Sequence, residues 1–118
     1  MHGPTYMANP LACAAANASL DLFEDGSWKA NVTRLSKGLG EGLEPCRQLP
    51  GVVDVRVLGA IGVVEFDEAV DAGGLCARFA DEGVWIRPMG KVVYLTPAFV
   101  MDDADLARLT SAIRKVLA

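Results

Sequence analysis

A change in hydrophobic period constrains the fold of this chain most. Before residue 50, apolar side chains recur every three or four positions, as they do on the buried face of a helix. Beyond a Pro-Gly turn, residues 53–57 alternate valine with charged residues, which predicts a half-buried strand with one wet face. A Gly-Ala turn leads to a second strand at 61–66, and so short a link predicts an antiparallel hairpin.

The same reasoning gives the remaining elements, in the order ααββαββα. This order predicts an α+β domain in which helices pack on a small, mainly antiparallel sheet. Three glycines weaken the last turns of the second helix, namely Gly38, Gly40 and Gly42. The predicted helices are 10–24, 28–44, 71–82 and one capped by Asp102, and the strands are 53–57, 61–66, 84–87 and 92–95.

Composition bounds the class of protein. The chain has 118 residues, enough for one domain, and its 52% hydrophobic content supports a real core. Its net charge of −4 and lack of any basic run argue against a nucleic-acid partner, and no apolar stretch reaches membrane-spanning length. Residues 6–23 lack the basic flank of a signal peptide. Cys13, Cys46 and Cys76 lie far apart and indicate reduced, filler cysteines of a cytoplasmic protein.

No self-contained catalytic motif is present in the sequence. A single histidine excludes a histidine-based metal cluster, and three cysteines are too few for a four-cysteine zinc site. Neither a phosphate-binding P-loop nor a nucleophile-elbow motif occurs. From these residues alone, the chain is an α+β domain without an assigned chemistry.

The first candidate site is the loop that contains Gly3, Pro4 and Thr5. It runs into a helix start, because Asn9 is a good cap and Pro10 suits the first helical position. A hydroxyl and exposed backbone N–H groups ahead of a helix suit an anion such as phosphate. The alternative is an ordinary ordered loop. So specific a loop at this position suggests a piece cut from a larger enzyme.

The second candidate is Arg87, which ends the apolar run 84–87. The proline that follows holds Arg87 extended. A guanidinium on a rigid apolar platform suits bidentate capture of a carboxylate. The alternatives are a solvated arginine or a structural ion pair. Tyr94, in an apolar strand, indicates core or edge packing when judged by its neighbours alone.

Three segments together resemble a known family: HGPTYMANPLACAAA from His2, DVRVLGAIGVVE from Asp54 and GVWIRPMGK from Gly83. The chain resembles, over nearly its whole length, the C-terminal part of adenosylmethionine-8-amino-7-oxononanoate aminotransferases, also called 7,8-diaminopelargonic acid synthases. These are class III aminotransferases that use pyridoxal 5′-phosphate on a fold-type-I scaffold. The H-G-x-T element alone indicates only class III, whereas the longer runs are more specific.

The resemblance implies a reaction and a set of roles. The family moves an amino group from S-adenosylmethionine to 8-amino-7-oxononanoate, which gives 7,8-diaminononanoate for biotin, and works as a homodimer with active sites at the subunit interface. Pro4 and Thr5 match positions that hold the cofactor phosphate of the neighbouring subunit, and Gly3 matches a substrate-contacting position. Arg87 matches the arginine that binds the substrate carboxylate, and Tyr94 falls close to the substrate pocket. Residues 1–8 are then a cofactor- and substrate-contacting loop, and 9–118 are the C-terminal small domain.

The Schiff-base lysine of that family lies before the matching segment. The lysines of this chain are Lys29, Lys37, Lys91 and Lys115, and none of them matches it. The resemblance therefore implies a fragment that is inactive alone. Other hypotheses stay open, namely a stand-alone ligand-binding or regulatory module and a dimerisation domain without a ligand. Related class III enzymes that act on ornithine, 4-aminobutyrate or other ω-amines are the nearest alternative within the same chemistry.

Overall fold

The computed structural model of the chain describes residues 5–118 and confirms the α+β class. Its sheet has three antiparallel strands, which lie side by side in the order they follow along the chain. Within these residues, the strands are β1 Val52–Leu58, β2 Ile61–Phe66 and β3 Val92–Leu95. The α-helices are α1 Pro10–Asp21, α2 Trp28–Leu43, α3 Ala72–Asp81 and α4 Asp103–Leu117. Two short 3-10 helices span Tyr6–Ala8 and Glu44–Gln48.

The predicted hairpin forms between β1 and β2. Leu58 pairs with Ile61 across a two-residue turn in which Gly59 has a φ of +57°, a conformation that glycine adopts without strain. Val64 of β2 is paired with β1 on one side and with Val93 of β3 on the other. Both valines are buried, so one face of the sheet forms the floor of the core.

The core lies between this face of the sheet and helices α2 and α4. Gly38 and Gly42 of α2 lie where α4 passes closest. A Cβ on Gly38 would lie 2.5 Å from Leu106, and one on Gly42 would lie 2.5 Å from Thr110. Two of the three glycines that weaken the isolated helix therefore allow α2 and α4 to approach closely, and α2 keeps its last turn up to Leu43. The core side chains with no exposed surface are Leu35, Leu39, Leu43, Cys46, Phe79 and Ile113.

The predicted strand 84–87 is wrong, because this segment joins no ladder. The N–H of Val84 donates instead to the carbonyl of Phe79 at 3.0 Å, which closes the end of α3. Pro88 has no N–H to donate. The turn that follows makes a single bridge, between Met89 and Val92. The alternation of the segment survives, with Ile86 buried between exposed neighbours, but its backbone lacks a strand partner.

Helix α1 stands apart from this core and contains no buried residue. The radius of gyration of the chain is 16.8 Å, which is larger than the value of about 13.5 Å expected for a compact domain of this length. A trio of aromatic rings joins the end of α1 to the core region. Phe23 lies 6.0 Å from Trp28 and 6.2 Å from Phe99, edge to face, and Trp28 stacks on Phe99.

Within residues 5–118, no helix has both the length and the apolar character needed to cross a membrane. The three cysteines are free thiols. Cys46 is fully buried, and burial raises the pKa of its thiol. Cys46 therefore acts as a small apolar side chain of the core, as the sequence predicts.

Candidate functional site

Arg87 lies on the segment that leads from α3 to β3. Its neighbours Ile86 and Pro88 are buried and fix the backbone, while Arg87 itself is exposed. No acidic side chain among residues 5–118 forms an ion pair with Arg87. The structural ion pair that the sequence left open is therefore not made within the described part of the chain. The guanidinium is free to meet an anion from elsewhere.

Arg87 and Tyr94 are brought together, since both line the same two clefts. The larger, of about 640 Å³, also includes Cys76 and Pro88. The other, of about 460 Å³, is called the Arg87 cleft here. Tyr94 is 37% exposed and projects from the outer face of β3, which rules out the core packing that its neighbours suggest. The residues that line the Arg87 cleft include Val84, Trp85, Ile86, Arg87, Tyr94, Leu95, Thr96, Pro97, Asp105, Arg108 and Leu109.

A second guanidinium in the Arg87 cleft was not singled out by the sequence. Arg108 lies on the first half of α4, and its Nη2 atom lies 2.5 Å from where a Cβ on Gly83 would stand. Gly83 has a φ of +73° and ends α3. The contact joins positions 25 apart in the sequence, so no local pattern could reveal it. Arg108 forms no ion pair with any residue that the structure describes.

The N-terminal candidate is described in part. Gly3 and Pro4 lie outside the described residues. Thr5 is exposed and precedes the first 3-10 turn, and its hydroxyl makes no capping hydrogen bond. The turn is unusual because three consecutive non-glycine residues, Tyr6, Met7 and Ala8, have φ between 47° and 56°. Left-handed backbone of this kind is strained unless surrounding contacts hold it in place.

Asn9 then starts helix α1 as predicted. Its side-chain oxygen accepts the N–H groups of Leu11 and Ala12 at 3.0 and 3.1 Å, and Pro10 is the first helical residue. The hydroxyl of Thr5 therefore lies one short turn ahead of a capped helix. In that place the hydroxyl and nearby N–H groups can contact a phosphate, while the cap already takes two of the helix donors.

The four lysines lie at surface positions with partners of their own. Lys29 lies 5.8 Å from the centre of the Trp28 ring, and Lys37 pairs with Glu41 within α2. The ammonium groups of the other two also have partners, for Lys91 the carbonyl of Asp67 and for Lys115 the carboxylate of Glu82. Neither cleft that contains Arg87 has a lysine in its lining. Among residues 5–118, no group of His, Cys, Asp and Glu side chains could hold a metal ion.

Comparison with known proteins identifies the family. A model of the class III aminotransferases matches residues 1–117. The adenosylmethionine-8-amino-7-oxononanoate aminotransferase of Corynebacterium glutamicum is 47% identical over 113 residues, which are 96% of this chain and 27% of that protein. The enzyme of the same name from Mycobacterium leprae is 47% identical over 116 residues, 98% of this chain and 27% of that protein. The chain thus spans about a quarter of the length of these relatives.

Solved structures agree on the fold. Acetylornithine aminotransferase from Elizabethkingia anophelis superposes with a TM-score of 0.79 at 26% identity, over 99% of this chain and 30% of that one. Adenosylmethionine-8-amino-7-oxononanoate aminotransferase from Methanocaldococcus jannaschii gives a TM-score of 0.77 at 28% identity, over 98% of this chain and 29% of that one. The three-stranded sheet with its helices is therefore a domain of the aminotransferase fold.

Proposed function

The chain belongs to the class III aminotransferases, and we propose that it forms the C-terminal small domain of an adenosylmethionine-8-amino-7-oxononanoate aminotransferase. The complete enzyme would transfer an amino group from S-adenosylmethionine to 8-amino-7-oxononanoate and give 7,8-diaminononanoate for biotin. Residues 1–8 would form the loop that contacts cofactor and substrate, and residues 9–118 the small domain. Relatives at 47% identity that carry this name support the assignment.

The observation that carries the proposal is the free guanidinium of Arg87. It stands in a cleft with apolar walls and has no ion pair among the described residues. A carboxylate at the end of an aliphatic chain, as in 8-amino-7-oxononanoate, meets both needs of such a cleft. Arg87 would hold the carboxylate by two parallel hydrogen bonds, and the exposed side of Tyr94 would cover the chain beside it. Gly3 would offer its backbone to the same substrate.

Pyridoxal 5′-phosphate is the cofactor of this chemistry and acts as an electron sink when bound. The residues present fit its phosphate end only. The Thr5 hydroxyl is exposed and makes no capping hydrogen bond, so it can donate to a phosphate oxygen. We assign Pro4 and Thr5 to the phosphate held by the neighbouring subunit. The lysines have surface partners and lie outside the Arg87 cleft, so the Schiff-base lysine would come from a segment other than this one.

The dimer belongs to the same proposal. A loop that completes the cofactor site of a neighbouring subunit must lie at a subunit interface, and α1 follows that loop directly. Leu11 and Leu20 of α1 are 81% and 65% exposed, which leaves apolar surface for an interface of this kind. The cytoplasmic location predicted from the cysteines stays a prediction.

A chimeric enzyme tests the proposal. This chain replaces the matching segment of the Corynebacterium glutamicum aminotransferase, and the product is assayed for 7,8-diaminononanoate formation from S-adenosylmethionine and 8-amino-7-oxononanoate. We expect activity, and growth without biotin in a bacterium that lacks its own enzyme. Arg87→Gln in the chimera should lower kcat/KM for 8-amino-7-oxononanoate by about tenfold to a hundredfold, because a charge-assisted bond to the carboxylate is lost.

Controls separate the alternatives. Arg114→Gln changes an arginine of α4 that does not line the Arg87 cleft and should leave kcat/KM unchanged. The isolated chain with added pyridoxal 5′-phosphate should give no product. The chimera could instead bind the cofactor and accept the aldehyde formed from acetylornithine or from 4-aminobutyrate. That result would favour the alternative that the chain comes from another class III aminotransferase. Turnover by the isolated chain would contradict the proposal that the Schiff-base lysine comes from another segment.

A further inference from the structure

The Arg87 cleft contains a second guanidinium in addition to that of Arg87. Arg87 lines it from the segment after α3, and Arg108 lines it from α4. One acidic side chain, Asp105, lies in the same lining one helical turn before Arg108, yet the two form no ion pair. Two guanidiniums and one carboxylate leave the cleft with a net positive charge. Such a cleft favours an anion.

The position of Arg108 is set by the backbone beneath it. Its Nη2 atom occupies the space over Gly83 that any Cβ would fill. Gly83 itself has left-handed backbone with a φ of +73°, which glycine adopts at the end of a helix. The side chain of Arg108 is exposed, and its guanidinium lies against this turn at the edge of the cleft. This packing lowers the entropy that the side chain would lose when it binds a ligand.

The walls of the cleft indicate that a ligand has an apolar part as well as a negative charge. Ile86, Leu95 and Pro97 are buried and form an apolar lining, and the exposed ring of Trp85 extends it. An alkyl chain that ends in a carboxylate matches both the apolar walls and the positive charge of the cleft. A phosphate or sulfate without an alkyl chain would leave the apolar walls in water.

We propose that Arg108 is a second guanidinium for the carboxylate end of the substrate and, with Arg87, selects a carboxylate on an aliphatic chain. This inference rests on the proposed function, since it assigns the Arg87 cleft to that substrate. Arg108 acts as a specificity-determining residue, because it contacts the end of the substrate remote from the reacting ketone. The carboxylate of Asp105 opposes binding and keeps the affinity moderate.

Nonanoate binding to the 118-residue chain is the test. Trp85 lines the cleft and reports binding by its fluorescence, and the Trp28→Phe background removes the other tryptophan. We expect saturable binding of nonanoate and none of 1-nonanol, which lacks the charge. Arg108→Gln should raise the Kd by about twofold to fivefold, the upper part of the range for one exposed charge pair, and Arg87→Gln should raise it at least as much.

Two further variants decide the assignment. Asp105→Asn removes the opposing charge and should lower the Kd, a change in the direction opposite to simple damage of the fold. Arg114→Gln alters an arginine of the same helix outside the Arg87 cleft and should leave the Kd unchanged. If Arg108→Gln is poorly folded, Arg108→Lys keeps the charge without the planar fork and should give an intermediate Kd.

The inference is overturned if nonanoate does not saturate, or if Arg108→Gln binds it as the unchanged chain does. Failure of the proposed function looks different. If nonanoate binding depends on Arg108 but the chimera makes no 7,8-diaminononanoate, the cleft is a carboxylate site of an aminotransferase with another substrate. If the chimera is active while Arg108→Gln changes neither nonanoate binding nor KM, the proposed function stands without Arg108.

Discussion

Helices α1 and α2 are neighbours in the chain, yet α2 packs on the sheet and α1 buries nothing. Both have sound local signals, since Asn9 caps α1 and the stripe of α2 repeats at helical spacing. The stripe of α2 ends on three fully buried leucines, whereas Leu11 at the start of α1 is 81% exposed. Local signals thus determine that a helix forms, but a packing surface within the same chain determines whether it is stable.

The difference separates the packed core of this chain from its N-terminal helix. The sheet, α2 and α4 share a continuous core. Helix α1 is joined to that core at its C-terminal end by the ring cluster of Phe23, Trp28 and Phe99. A helix of this length is marginal in water without tertiary contacts. Helix α1 and the turn before it therefore have little tertiary support among the described residues.

The largest expected effect is the contrast between one leucine of each helix. Leu39→Ala should lower the free energy of unfolding by about 2–5 kcal/mol, because it removes a fully buried side chain from the core. Leu11→Ala should change it by less than about 0.5 kcal/mol. Urea unfolding of the 118-residue chain, followed by circular dichroism, measures both. Equal losses would mean that α1 has a packing surface within the chain.

The glycines of α2 sharpen the comparison within a single helix. Gly42→Ala places a Cβ 2.5 Å from the buried side chain of Thr110 and should destabilise the chain by about 1–3 kcal/mol. Gly40→Ala places a Cβ in open space and should stabilise the chain by about 0.5–1 kcal/mol. The urea midpoint measures both. If the two variants shift it in the same direction, the close approach of α2 and α4 is not the reason for Gly42.

The caps of α1 and α4 provide a smaller contrast. The carboxylate of Asp102 accepts the N–H of Asp105 at 2.8 Å, and Asp102→Ala should lower the stability of the whole domain by about 1 kcal/mol. Asn9→Ala removes two comparable bonds from α1. It should speed hydrogen exchange in α1 while the urea midpoint stays unchanged. A matching fall in the midpoint for Asn9→Ala would place α1 inside the cooperative unit.

Much of the fold could be predicted because its signals are local. The helix starts at Pro10 and Trp28 and the strands Ile61–Phe66 and Val92–Leu95 fall where the sequence predicts them. The segment 84–87 has the alternation of a strand but no partner for its backbone, and partnership is decided elsewhere in the chain. Gly38 and Gly42 of α2 show the same limit, since their purpose depends on what lies opposite, in α4.

The candidate site divides in the same way. Arg87 could be found because proline and apolar neighbours mark a rigid platform within five consecutive residues. The proximity of Tyr94 to Arg87 could not be derived from spacing, and only the resemblance suggested it. Arg108 was missed because its place in the cleft depends on a contact with Gly83 that joins α4 to the end of α3. Gly3 and Pro4 lie outside the described residues, and the roles of all five candidate residues stay predictions.

The smallest expected effect concerns two aspartates, one in each region. A hydrogen bond from Arg56 holds the pKa of Asp54 on β1 below its ordinary value, and the backbone N–H of Ser27 does the same for Asp25 between α1 and α2. In each case the folded-state pKa lies below the unfolded value of about 3.9. The stabilisation is therefore fully present above that value and is lost as the pH falls through the folded-state pKa.

Unfolding in urea from pH 6 down to pH 3, about the range where these carboxylates titrate, should show a falling midpoint. Asp54→Asn should flatten that fall, because β1 belongs to the cooperative core, and Asp25→Asn should flatten it less. An equal effect of both substitutions would mean that the α1–α2 link unfolds together with the sheet, and would contradict the division of the chain into a packed core and a dependent N-terminal helix.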